Sequence, residues 1–160
     1  MATVKFLNER GKYHDDNAIH DVLTYICQTY KTPSGLIGGI RVDPHNPAQS
    51  MVAVSEAYQK NYGVRLRHFV VSFPAGKKYT PQAIAMVAER ICYRIGTMYQ
   101  VVYAVHESTP DHPHFHVVFN AVSDQTGYKY HGDKEEYEAL KNCIREALFY
   151  YGMGFLQVVH

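Results

Sequence analysis

The sequence predicts an α/β (α+β) fold in which helices pack on the faces of a central, mostly antiparallel sheet. Three observations lead there. Helical and strand-like segments alternate along the chain. The two clearest strands, Tyr99–His106 and His114–Val122, are joined by a short loop and must pair as an antiparallel hairpin. The 160 residues, 46% apolar and 19% charged, contain no repeat, linker or low-complexity stretch, so one domain with a sizeable core is expected over residues 1–160.

The elements follow in order. Thr3–Leu7 reads as a first strand, ended by a turn at Gly11. Asp15 or Asp16 can cap a helix whose apolar positions Ile19, Val22, Leu23 and Ile26 keep helical spacing. Leu36–Val42 is a strand with two glycines, which signal a bulge or a close backbone approach. Asn46–Tyr62 is helical and stops at Gly63, and Arg67–Phe73 is a β-rich strand. Thr80-Pro81 is a strong helix start, with Ile84, Val87, Ile91 and Ile95 as the stripe and Gly96 as the end. A last helix covers 134–151 with a stripe at Tyr137, Leu140, Ile144, Leu148 and Tyr151, and Phe155–Val159 adds an edge strand.

Composition excludes several classes. No apolar run is long enough to span a bilayer, and the polar start lacks the apolar segment of a secretory signal. Three scattered cysteines, Cys27, Cys92 and Cys143, argue against a disulfide framework and for a reducing, cytoplasmic setting. Net charge is only +1, but residues 1–80 carry +4 and residues 81–160 carry −3. That asymmetry is either scatter or a phosphate-facing surface in the first half.

The chemistry concentrates in the hairpin, where four of the ten histidines fall between 106 and 116. Residues two apart in a strand share a face, so His114 and His116 point the same way while Phe115, Val117 and Phe119 point to the opposite, buried one. Pro110 and Pro113 confine residues 107–113 to the loop. His106 then lies opposite His114, and Ala104 opposite His116, with paired Cβ atoms roughly 4.5–5.5 Å apart. Three imidazoles converge, as a divalent cation with open positions requires. His112 is a spare in the loop, and Glu107 faces away from His106, toward a structural or outer supporting role.

These residues resemble the conjugative relaxases, the HUH-type (MobA/VirD2-like) mobilisation nucleases. His114-Phe115-His116 matches the His-hydrophobic-His motif, His106 the upstream third histidine, and Val117–Asn120 the apolar run ending in asparagine. His68–Phe73 is similar to the family strand that carries a histidine and ends in Ser-Phe, and Tyr25–Thr32 to the tyrosine motif ending in Lys-Thr. The likeness runs from about residue 20 to residue 127; it departs at Ser108, where the family commonly has an aspartate, with Asp111 as the neighbouring acid.

The resemblance implies the HUH relaxase fold and a catalytic domain, either the N-terminal part of a longer protein or a truncated relic. It implies site- and strand-specific nicking of origin-of-transfer DNA: a tyrosine attacks a phosphate polarised by a divalent cation, leaving a 5′-phosphotyrosyl link. Mg²⁺ or Mn²⁺ is expected ahead of Zn²⁺, with single-stranded DNA, accessory relaxosome proteins and a coupling protein as partners and no membrane. Tyr25 is the first choice of nucleophile and Tyr30 the second. Lys31 is a phosphate contact or a solvated helix-end charge; His68 approaches the site or packs in the sheet; Asn120 donates to DNA or merely ends a strand. Arg65, Arg67, Lys77 and Lys78 are candidates for backbone phosphates, the last two also reading as a solvated turn. The alternatives are a rolling-circle initiator or transposase using Tyr137, Tyr150 or Tyr151, a non-catalytic DNA-binding relic, and a metal hydrolase acting on small phosphoesters.

Overall fold

The computed structural model describes residues 1–9, 11–28, 31–32, 35–43, 46–75, 79–107 and 112–160. The elements in chain order are β1 (Ala2–Leu7), α1 (Asp16–Ile26), β2 (Ile37–Ile40), α2 (Pro47–Ala57), β3 (Leu66–Ser72), α3 (Pro81–Ile95), β4 (Val101–His106), β5 (His114–Asn120), α4 (Lys134–Tyr150) and β6 (Leu156–Val159). The six strands form one sheet in the order β2-β4-β5-β3-β1-β6. All neighbours are antiparallel except β1 and β6. This is the mostly antiparallel sheet that the hairpin demands.

Both faces are covered, because the odd and even residues of β5 each meet apolar helix stripes. Phe115, Val117 and Phe119 pack under α3 and α4 with Ile84, Ile91, Ile144 and Leu148. Val118, with Val102 and Ala104 from β4, packs under α1 and α2 with Ile19, Leu23, Ile26 and Met51. His114 and His116 share the face of Val118, so the histidines sit on the α1 side of the sheet.

Local chemistry explains the helix starts. The Asp15 carboxylate accepts from the Ala18 N–H at 2.7 Å, and the Thr80 hydroxyl from Ala83 at 3.1 Å with Pro81 following. Asp133 and Glu136 form a reciprocal capping box at α4.

One of two helix ends departs from expectation. α2 stops at Ala57, not Tyr62: Gln59 takes a left-handed backbone (φ 55°), and the N–H groups of Gln59 and Lys60 bond back to the carbonyls of Glu56 and Ser55. This is a Schellman closure without its usual glycine, so no sequence signal marks it. Gly96 does end α3, but at φ −66° it needs no left-handed freedom. A Cβ there would lie 2.6 Å from Ile40 Cδ1, so glycine admits the β2 edge.

Candidate active site

The β4–β5 register sets His106 against His114 and Ala104 against His116. One ligand atom from each of His106, His114 and His116 lies within 4.8 Å of the others. His106 and His116 are buried, at 2% and 6% exposure, while His114 sits half-buried at the rim. The small Ala104 leaves room for the His116 ring, whose centroid is 4.2 Å from that of His106.

Each ring has one nitrogen already engaged. His106 Nε2 is 2.8 Å from the Ile26 carbonyl at the end of α1; a carbonyl only accepts, so Nε2 donates and Nδ1 keeps the lone pair. His114 Nδ1 donates likewise to the His112 carbonyl at 2.9 Å, leaving Nε2. His116 Nδ1 is 2.7 Å from His68 Nε2, and His68 Nδ1 is 3.0 Å from the Tyr13 hydroxyl. Burial holds the His106, His68 and His116 rings neutral: His106 is pushed down to about 4, with His114 and Lys31 adding to the effect and the Ile26 carbonyl opposing it. Burial first, then Lys12 and His106, pushes His68 to about 3, and burial with the neighbouring imidazoles lowers His116 in the same direction. Neutral rings offer lone pairs, so the donor set fits a divalent cation and leaves coordination positions open.

α1 brings a phenol to this cluster. Tyr25, 49% exposed, has its ring centroid 6.3 Å from that of His106 and 6.2 Å from that of His116. The Lys31 ammonium lies 3.4 Å from the Tyr25 ring centroid. His106 on the Ile26 carbonyl ties the end of α1 to β4, and beyond both elements the Glu107 N–H donates to the Lys31 carbonyl at 2.7 Å. A cavity of ≈ 530 Å³ opens beside these groups, lined by Tyr25, His68, His116, Lys12 and Asp21 among others.

Other expected site residues lie elsewhere. Tyr30, Lys77, Lys78, Ser108 and Asp111 fall outside the described residues. His112 is exposed and contributes its backbone carbonyl. Asn120 shares the histidine face but stands at the far end of β5, fully buried, its amide donating to the Met51 carbonyl and Gln100 Oε1 while its oxygen accepts from the Val122 N–H. Arg67 is also at the far end, opposite Phe119, with its guanidinium over the Tyr130 ring, and Arg65 is buried on Asp16 at 2.6 Å. Tyr137, Tyr150 and Tyr151 belong to α4 or its cap, across the sheet from the histidines; Tyr137 packs on Phe6. Sequence reasoning missed Tyr13 entirely: it lies in an aperiodic turn between Gly11 and Asp15, fixed by its carbonyl accepting from the Arg65 N–H at 2.6 Å. Among the described residues no helix is long and apolar enough to cross a membrane.

A family model for the relaxase MobA/VirD2-like nuclease domain matches residues 11–153. Two proteins from Staphylococcus aureus, both called Protein rlx, are similar to the chain. One is 27% identical over 112 residues, covering 68% of this chain and 35% of that protein. The other is 31% identical over 86 residues, covering 54% of this chain and 26% of that protein. The chain thus matches only about a third or less of either relative's length. With a family match across most of a domain whose hairpin histidines and helix-borne tyrosine meet at one place, the chain belongs to the MobA/VirD2-like relaxase nuclease-domain family.

Proposed function

We propose that this domain nicks single-stranded DNA at an origin of transfer by transesterification, with Tyr25 as nucleophile. The supporting observation is the approach of the Tyr25 ring to within 6.2–6.3 Å of two histidines whose donor atoms, with those of His114, cluster within 4.8 Å. His106, His114 and His116 would hold a divalent cation, which when bound would supply Lewis-acid polarisation of the scissile phosphate. Three imidazole nitrogens favour Mn²⁺ or Zn²⁺ over Mg²⁺, which prefers oxygen ligands.

The chain's own residues do the rest. The Tyr25 oxygen forms a bond to phosphorus, the bond to the 3′ oxygen breaks, and the phenolic proton ends on the released 3′-hydroxyl. One phosphodiester replaces another, so the step is reversible and the strand can be rejoined. Lys31, beside the phenol, holds positive charge where the pentavalent phosphate gains negative charge. The cavity along α1 gives the strand room next to the ring. Origin DNA, relaxosome proteins and a coupling protein are the partners of this reading, and the cytoplasm its setting. The rival that uses a tyrosine of α4 requires the phenol to cross the sheet, since α4 packs on the other face.

The test incubates the protein and Mn²⁺ with labelled single-stranded oligonucleotides tiling the transfer origin of the element that encodes it. A denaturation-resistant protein–DNA adduct is expected, lost in Tyr25→Phe and retained in Tyr137→Phe and Tyr150→Phe. Adduct formation by Tyr25→Phe removes Tyr25 from the role, and Tyr30→Phe is then the next variant. Binding without cleavage would instead mark a non-catalytic relic.

A further inference from the structure

We propose that Tyr13 and His68 are positioning residues: a buried relay that fixes the tautomer of His116 and so keeps its Nε2 lone pair available to the cation. The inference rests on the reading that His106, His114 and His116 hold a metal.

The argument is one of donors and acceptors. His106 and His114 have their tautomers set by backbone carbonyls, which can only accept. Among the described residues His116 has no such anchor; its Nδ1 faces another imidazole nitrogen, His68 Nε2, at 2.7 Å. One of those nitrogens must carry the proton and the other the lone pair. If His68 Nε2 donates, His116 carries its own proton on Nε2 and cannot bind a cation there. If His116 Nδ1 donates, Nε2 is free. His68 therefore decides, and its tautomer is in turn coupled to the Tyr13 hydroxyl 3.0 Å from Nδ1.

A phenol both donates and accepts, so the Tyr13–His68–His116 chain has two complete arrangements with the same number of protons. In the cation-competent one, His116 Nδ1–H donates to His68 Nε2 and His68 Nδ1–H donates to the Tyr13 oxygen. The three groups are 6%, 5% and 1% exposed, which limits replacement of either link by solvent. Strand register builds the chain: His68 pairs with Val118 on the strand beside β5, two residues from His116 on the same face. An outer partner of this kind does the work a carboxylate commonly does for a metal-bound histidine. Here the position two after His106 is a serine.

The test has two arms, neither using DNA. Long-range ¹H–¹⁵N spectra of the wild-type domain loaded with diamagnetic Zn²⁺ report which ring nitrogens bear protons. The expected pattern is a proton on Nδ1 of both His116 and His68, with His68 Nε2 bare. A bare His116 Nδ1 in the loaded protein overturns the relay. The second arm is calorimetric titration with Mn²⁺. His68→Leu should bind about 10–100-fold more weakly. His68→Gln, whose side-chain carbonyl can accept from His116 Nδ1, should recover much of the loss, and Tyr13→Phe should show a smaller one. Wild-type affinity in a folded His68→Leu overturns the relay while leaving the metal site standing. A wild-type protein that binds neither ion overturns the metal reading and the relay together. If His68→Leu does not fold, the wild-type spectra decide alone.

Discussion

Lowering the pH should cost the metal-free domain stability, because its site is built from imidazoles that the fold keeps neutral. His106 and His68 sit at about 4 and about 3 in the folded chain, against an ordinary value of 6.5. The unfolded chain takes up protons below pH 6.5 and the folded one does not, so stability is full above 6.5. It falls as pH drops from there toward the folded values, with a slope set by the protons bound on unfolding. Between pH 7 and pH 5 each group costs about 2 kcal/mol, so the pair costs about 4 kcal/mol, a large share of the ~5–15 kcal/mol available to a domain. His116, lowered by the same burial, acts in the same direction. Urea unfolding across this range, with the chelator and ionic strength held constant, measures the loss and its slope. His68→Gln should remove about one proton from that slope. Stability that stays level from pH 7 to pH 5, or a slope unchanged by His68→Gln, would refute the burial argument for these rings.

Other perturbations have definite expected outcomes. Ala104→Leu puts a larger side chain opposite His116 in a fully buried position; it should cost roughly 1–3 kcal/mol by overpacking and weaken Mn²⁺ binding, as melting and calorimetry would show. Gln59→Gly relieves the left-handed backbone that ends α2 and should stabilise by about 0.5–1 kcal/mol, read as a melting point about 2 °C higher. Asp133→Ala removes the capping box of α4 and should cost about 1 kcal/mol without changing adduct yield, since α4 lies across the sheet from the site. In adduct assays, Mn²⁺ should saturate at a lower concentration than Mg²⁺; the reverse order would argue against an all-nitrogen site.

The histidine cluster was legible because a strand has period two and a short loop leaves few registers open. Those two facts alone put His106, His114 and His116 on one face. Tyr25 was legible through its place at the margin of the α1 stripe. The pairing of His68 with β5 was not, because the neighbour of a strand across the sheet leaves no trace in local periodicity. Tyr13 and the Ile26 carbonyl were hidden for related reasons: one sits in an aperiodic turn, and the other is a main-chain group that every residue possesses. The end of α2 was misread because Gln59 adopts a conformation usually left to glycine. Asn120 shares β5 with two site histidines but stands at its other end, and Arg67, next to His68 in β3, turns to the opposite face, where its guanidinium lies over Tyr130.

The clasp between His106 and the last turn of α1 has a mechanical corollary. Tyr25 and the Ile26 carbonyl are adjacent along one rigid rod, so the phenol and a ligand ring share a mount. In the reaction proposed above, DNA joined to the phenol would deliver a pull on the strand one residue from the group that orients His106. On that reading, a load that tilts α1 would disturb the Tyr25 oxygen and the His106 ring together, and slackening would restore both at once.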